Sequence, residues 1–160
     1  MTAARPLAVF DLDGTLADVR HRLHHLERRP RAWDAFFDAA RDDPPLPAGV
    51  ALALESAREC DVVYVTGRPE RCRADTQAWL RRHGLPGGRL AMRAAGDRRP
   101  ARTAKPELLR RIAAGRVVAV VVDDDEQVCA AYERQGWTVM RARWQDAAPI
   151  LRQAQGEGRT

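Results

Sequence analysis

Six residues, Val117-Val118-Ala119-Val120-Val121-Val122, run without a polar break into Asp123-Asp124-Asp125. A strand with one face in water alternates apolar and polar side chains. An unbroken apolar run instead reads as a strand covered on both faces, the environment inside a parallel sheet. Leu7–Phe10, Val62–Val65 and the weaker Thr138–Met140 share this character, with Leu90–Met92 as a candidate fifth. Helical patterns separate them. Pro47 to Glu59 opens on Pro; Pro69 to His83 opens on Pro and stops at Gly84; Lys105 to Ala113 ends before Gly115; Glu126 to Gln135 ends at Gly136. Strands alternating with helices predict an α/β fold, a doubly wound, Rossmann-like parallel sheet with right-handed crossovers.

The 160 residues fit one domain. Between the first strand and the helix at Pro47 lies an insert, about 18–45. Its two helical stretches, His21–Arg29 and Arg31–Arg41, are split by Pro30, and Trp33, Phe36 and Phe37 give the second an apolar face. Asp42-Asp43-Pro44-Pro45-Leu46-Pro47 reads as a stiff return to the core. The insert is expected to form a small helical cap over the C-terminal edge of the sheet, and the tail Gln153–Thr160 to fray.

No apolar run approaches the roughly 20 residues that span a bilayer, and Met1 to Pro6 is too short and polar for a signal peptide. Cys60, Cys72 and Cys129 are odd in number and lack CxxC spacing, which favours reduced thiols and a cytoplasmic protein over a disulfide framework or zinc site. The formal charge of +5 and the pI near 9.8 favour anionic partners, nucleic acid among them. Of the 27 Lys and Arg residues, Lys105 is the sole lysine. A lysine retained where every other cation is Arg marks a position that needs a compact ammonium.

Chemistry-bearing residues gather where the strands end. Asp11-Leu12-Asp13-Gly14-Thr15 follows the first strand, at the sheet edge where open α/β folds bind ligands. Two carboxylates this close repel unless a cation lies beside them, and Mg²⁺ prefers such oxygen ligands. Val65-Thr66-Gly67-Arg68-Pro69 joins a strand to a predicted helix start. Its hydroxyl, free backbone N–H groups and Arg68 are the parts of a phosphate cradle. Lys105 opens a helix after a basic loop. Among the three acids after Val122, Asp125 is expected to cap the next helix, which leaves Asp123 and Asp124 as metal candidates.

In this order and placement, Asp-x-Asp, Thr, Lys and Asp-Asp resemble the haloacid dehalogenase superfamily of phosphatases across nearly the whole chain. The resemblance implies Mg²⁺ as cofactor. Asp11 would be the nucleophile that becomes phosphorylated, and Asp13 the group that protonates the leaving oxygen and then activates water. Thr66 and Lys105 would hold the transferring phosphoryl group. Metal binding would fall to Asp11, the carbonyl of Asp13, and Asp123 or Asp124. The stretches DLDGTLADVRHR, VTGRPERCRADTQAWLRRHG, MRAAGDRRP and VVDDDEQVCAAYERQGW narrow the likeness to the 3′-phosphatase domain of phage-type polynucleotide kinase–phosphatases. That family implies substrate-binding roles for Arg22 and Arg68, with Gly67 beside them, and 3′-phosphorylated DNA or RNA ends as substrate.

Two departures stand out. There is no GxxxxGK[ST], so a stand-alone phosphatase without a kinase P-loop is expected. The acid that the family carries a few residues before the motif Lys is missing from Pro100-Ala101-Arg102-Thr103-Ala104, although Asp97 lies upstream. Arg20, Arg22, Arg28, Arg29 and Arg31 of the cap, and the Arg93–Arg102 loop, are candidates to meet a nucleic-acid backbone. Trp33 or Phe36 could stack on a base, against the plainer reading that these rings form the buried face of the cap. His21, His24 and His25 lack a ligand set and read as solvated or core-facing. The alternatives are a phosphatase of nucleotides or sugar phosphates, and a non-catalytic nucleic-acid-binding module on the same fold.

Overall fold

The computed structural model describes residues 3–145. Five strands form one all-parallel sheet: β1 (Leu7–Phe10), β2 (Asp61–Pro69), β3 (Leu90–Arg93), β4 (Val118–Asp123) and β5 (Val139–Arg141). Their order is β3-β2-β1-β4-β5, with β1 central. The chain runs outward from β1 through β2 to β3, then crosses back to β4 on the other side. The C-terminal ends of β1 and β4 therefore flank the topological switch point, where such sheets open a crevice.

Alternation along each strand divides the core in two. Leu7 and Val9 of β1 pack with Val63, Val65 and Val121 on one face, beneath Leu109 and Ile112 of α5 (Ala101–Ala113) and Val128 and Tyr132 of α6 (Glu126–Arg134). Ala8 and Phe10 point the other way with Val62, Tyr64 and Val122. There they meet Trp79 and Leu80 of α4 (Arg73–Arg82) and the insert. The Val-rich run is covered on both faces only over its second half. Val117 lies before β4 and is 72% exposed.

Several expected helix boundaries shift, two of them at prolines. Pro69 does not open a helix. It closes β2, paired with Arg93, and a 3₁₀ turn (Glu70–Cys72) precedes α4. A strand-end Pro needs no N–H partner, so it serves there as well as at a helix start. Lys105 does not begin α5 but lies one turn inside it. The helix starts at Ala101, where the Pro100 carbonyl accepts from the N–H groups of Thr103 and Ala104, and Pro106 is carried within it. In the insert, the expected helix 21–29 is a 3₁₀ turn (Arg20–Arg22) followed by the single turn α1 (His24–Glu27). The expected helix 31–41 is α2 (Trp33–Asp38) followed by a 3₁₀ turn (Ala39–Asp42). Phe36 and Phe37 are buried and Trp33 stacks on Phe37, so the plainer reading of these aromatics holds for the two phenylalanines. The chain returns to the sheet through α3 (Pro47–Ser56). The expected fraying tail lies outside the described residues.

Candidate active site

The turn after β1 is held by its own backbone. The Leu12 carbonyl accepts from Thr15, Leu16 and Ala17, and Gly14 N–H donates to Ala17. Gly14 has φ +82°, and a Cβ there would lie 2.2 Å from Asp124 Oδ2. Only glycine permits both the left-handed turn and the approach of Asp124. Asp11, the residue after β1, thus lies beside Asp123, the last residue of β4, and Asp124.

Asp11, Asp123 and Asp124 each offer a carboxylate oxygen within 4.8 Å of the others. Lys105, only 3% exposed, reaches from α5 and donates to Asp11 Oδ1 and to Asp123 Oδ2, both at 2.7 Å. Thr15 Oγ1 donates to the other Asp11 oxygen at 3.1 Å. Fully ionised, three carboxylates and one ammonium carry two excess negative charges. Burial, reinforced by Asp123 and only partly offset by Lys105, pushes Asp11 up to about 7. Burial and the charges of Asp11 and Asp123 push Asp124 well above the ordinary carboxylate range. The two acids raise Lys105 well above its ordinary value despite burial, so it stays charged. Asp124 Oδ1 is buried and has no hydrogen-bond partner. An all-oxygen cluster with surplus negative charge and an orphaned buried oxygen fits a hard divalent cation. Asp125, as expected, caps α6, its Oδ1 accepting from Gln127 and Val128 N–H.

Asp13 sits in a second cluster. Its Oδ1 accepts from Arg22 Nη2 at 2.8 Å and from Arg68 Nη2 and Nε at 2.6 and 3.0 Å. Asp43 closes the group. It accepts from Arg22 Nε and Nη2 at 2.8 and 2.7 Å, and from Arg68 Nη2 at 3.3 Å. His21 Nε2 lies 2.6 Å from Asp43 Oδ1 at the rim, and Arg22 lies over the Phe36 ring. Two guanidiniums and two carboxylates balance, which is what lets four charges be buried together. Burial alone would raise Asp13, but Arg68 and Arg22 overcome it and hold the carboxyl well below its ordinary range. Asp43 remains raised by burial.

This arrangement shows where two residues expected to bind phosphate direct their donors in this structure. Arg22 and Arg68 are 0% and 1% exposed, and their donors go to Asp13, Asp43, Phe36 O and Thr76 Oγ1 rather than to open space. Here they position Asp13 instead of presenting a free phosphate clamp. The cradle also differs: Thr66 and Gly67 lie in β2, not at a helix N-terminus. A register irregularity between Val65 and Pro69 shifts this segment, as bulges near active sites do. Thr66 Oγ1 accepts from Arg68 N–H at 3.1 Å, which leaves its own proton to donate. Asp13 contributes no side-chain oxygen to the acidic cluster, so only its carbonyl remains for the metal role expected of it. Asp97 pairs with Arg99 at 2.9 Å and does not enter either cluster. Asp43 was missed, because Asp-Asp-Pro-Pro reads as a turn. Its only signal is that it is an acid within the arginine-rich insert.

Solved structures share this fold. The chain is 23% identical to a protein in the Pnkp1/Rnl/Hen1 complex, with a TM-score of 0.72 over 88% of this chain and 47% of that one. Another structure, the Pnkp1/Rnl/Hen1 RNA repair complex, gives 21% identity and a TM-score of 0.77 over 92% and 45%. The chain thus spans about half the length of these two proteins. A class C acid phosphatase from Bacillus anthracis, with tungstate bound, gives 16% identity and 0.61 over 90% and 69%. No curated protein matches the chain. The family model for the polynucleotide kinase PNKP phosphatase domain matches residues 6–146. A chain matched over that span, with its acids, threonine and lysine converging at one sheet edge, belongs to the PNKP phosphatase-domain family of the haloacid dehalogenase superfamily.

Proposed function

We propose that this phosphatase-family chain removes 3′-phosphates from nucleic-acid ends through an aspartyl-phosphate on Asp11, with Mg²⁺ as cofactor. The observation that carries the reading is the Lys105 ammonium, 2.7 Å from both Asp11 and Asp123. It fixes the Asp11 carboxylate and supplies the compact positive charge that a phosphoryl group needs beside its acceptor.

An Asp11 oxygen attacks phosphorus, and the bond from phosphorus to the 3′-oxygen breaks. Asp13 gives its proton to the departing oxygen. Asp13, now a carboxylate, takes a proton from water as that water attacks the aspartyl-phosphate, which releases phosphate and restores Asp11. All three arginine bonds to Asp13 fall on Oδ1, which leaves Oδ2 to handle the proton. Arg22 and Arg68 hold Asp13 ionised, the state of a general base, so the proton for the first step must be taken up as substrate binds. Thr66 Oγ–H and Lys105 contact the transferring oxygens. Bound Mg²⁺ would offset charge on the phosphoryl oxygens. Asp11, the Asp13 carbonyl and Asp124 would hold it. Asp123 already accepts from Lys105 and from Asp125 N–H, whereas Asp124 Oδ1 accepts nothing, which favours Asp124 as the direct ligand of the two.

Three observations support a strand end as substrate: the family itself, the basic charge, and an open groove of about 480 Å³ between the insert and the β3–α5 loop. Arg31, Trp33, Pro69, Arg71 and Arg98 are among the residues lining it. The test is hydrolysis with Mg²⁺ of 3′-phosphorylated oligonucleotides, 5′-phosphorylated oligonucleotides and mononucleotides, with Asp11→Asn as the blank. Preferential turnover of the 3′-phosphorylated strand, weakening steeply with salt, is expected. Salt-independent turnover of mononucleotides alone refutes the substrate assignment.

A further inference from the structure

The insert carries a cluster of three aromatic rings, and the phosphoryl chemistry uses none of them. Phe36 and Phe37 of α2 are buried, and their rings meet edge to face at 5.2 Å. Trp33, the first residue of the same helix, stacks on Phe37 at 5.7 Å with 20° between the ring planes, and meets Phe36 edge-on. Unlike the two phenylalanines, Trp33 is only partly buried. Phe37 covers one face of the indole, while Trp33 also lines the open groove between the insert and the β3–α5 loop. A ring that serves packing alone is closed off on both faces. This one backs onto the core and fronts on a basic groove.

The surroundings suit a flat apolar guest attached to an anion. Pro69, at the end of β2, lines the groove with Trp33. On the loop side lie Ala95 and Gly96, with no bulky side chain to fill the space, and Arg71 and Arg98 add positive charge. The volume of about 480 Å³ is that of a small-molecule site, enough for a nucleobase and its sugar. Arg71 also bonds to Asp34 at 3.1 Å and to Asp38 at 2.6 Å, which ties α2 to the turn that follows β2. The indole is therefore held in place before a substrate arrives, and little ordering cost attends its use. Pro69 stands three residues along β2 from Thr66, roughly 10 Å at strand spacing. That sets the indole about one nucleoside away from the phosphoryl group.

We propose that Trp33 stacks on the base of the nucleotide that carries the 3′-phosphate, and so makes the enzyme prefer ends that keep their base. Every base has a π-face, so the preference is for a base over none rather than for one sequence. This rests on the strand-end reading of the site. The experiment compares kcat/KM for two 3′-phosphorylated oligonucleotides, identical except that one ends in an adenine nucleotide and the other in an abasic sugar. It uses wild type, Trp33→Phe, and Trp33→Leu, which keeps apolar cover over Phe37 without a π-face, with thermal unfolding of each variant as a check on the fold. Wild type should favour the adenine end by roughly 5- to 150-fold, the worth of stacking one base. Trp33→Leu should bring the ratio close to one, and Trp33→Phe should keep much of it. Equal losses on both strands in Trp33→Leu, or an unchanged ratio, overturn the proposal and leave Trp33 a packing role. A wild-type enzyme that hydrolyses an aryl phosphate but neither strand refutes the strand-end reading itself, and the Trp33 assignment falls with it. Wild-type turnover of both strands with equal kcat/KM refutes the Trp33 assignment alone.

Discussion

Asp43→Ala tests the buried quartet most severely. The side chain of Asp43 is fully buried, and it accepts two short hydrogen bonds from Arg22, a longer one from Arg68 and the contact with His21. Removing it leaves Arg22 and Arg68 sharing Asp13 alone, one uncompensated positive charge beneath the insert. Breaking a buried ion pair from one side costs about 3–5 kcal/mol, because the surviving charge stays desolvated. In a domain of this size each kcal/mol moves Tm by roughly 2–4 °C, so a fall of about 6–20 °C is expected. Asp43→Asn keeps the shape and some acceptors but removes the charge, and should fall between wild type and Ala. Urea unfolding should show a lower midpoint with an unchanged slope. Catalysis should lose kcat more than KM, since Asp13 loses its orientation while the phosphate contacts remain. A double-mutant cycle with Arg22→Met supplies the control: the pair should be strongly non-additive. An Asp43→Ala protein within about 1 kcal/mol of wild type, additive with Arg22→Met, would refute the quartet as a coupled unit.

Other consequences are as direct. Without divalent cation, Asp11 keeps in the folded state a proton that the unfolded chain gives up, between its ordinary 3.8 and about 7. Stability from this group is therefore full below that window and lost as pH rises through it, by up to about 4 kcal/mol at 1.36 kcal/mol per pH unit. Mg²⁺ should accordingly raise Tm more at about pH 8 than at about pH 5, and an equal rise at both contradicts the cluster as its site. Asp13 behaves oppositely: its arginine-held carboxylate stabilises the fold above the ordinary carboxylate value and stops doing so as pH falls through its depressed one. Gly14→Ala pushes a Cβ into Asp124 and strains a positive φ, so Mg²⁺ binding by calorimetry should weaken at least ~10-fold even if the protein folds. Lys105→Arg replaces a compact ammonium by a planar fork between Asp11 and Asp123, and should lower kcat by ~10² or more.

The sheet and the acids at its edge were legible because burial on both faces leaves a plain record, a run of valines stopping at aspartates. Lys105 was legible as the only lysine. Three things were not. Pro69 and Pro106 are each compatible with a helix start, and only the tertiary structure makes one a strand end and carries the other inside α5. An arginine near a catalytic acid suits a substrate phosphate or a protein carboxylate equally, so nothing local announced that Arg22 and Arg68 are spent on Asp13 and Asp43. Arg93 was read as one basic residue of a surface loop, although its side chain is buried beside Gly67. Whether a charge is buried and partnered is a property of the packing around it, set by residues distant in sequence.

Trapping the covalent intermediate tests the central claim most directly. Wild type and variants would be mixed with 3′-³²P-labelled oligonucleotide and Mg²⁺, quenched in acid, and the protein-bound label challenged with hydroxylamine, which cleaves acyl phosphates. Wild type should show a transient, hydroxylamine-sensitive label, which should peptide-map to Asp11 and be absent from Asp11→Asn. A wild-type enzyme that releases phosphate at full rate with no protein-bound label on the timescale of turnover, or an Asp11→Asn variant that still becomes labelled, would contradict the assignment of Asp11 as nucleophile.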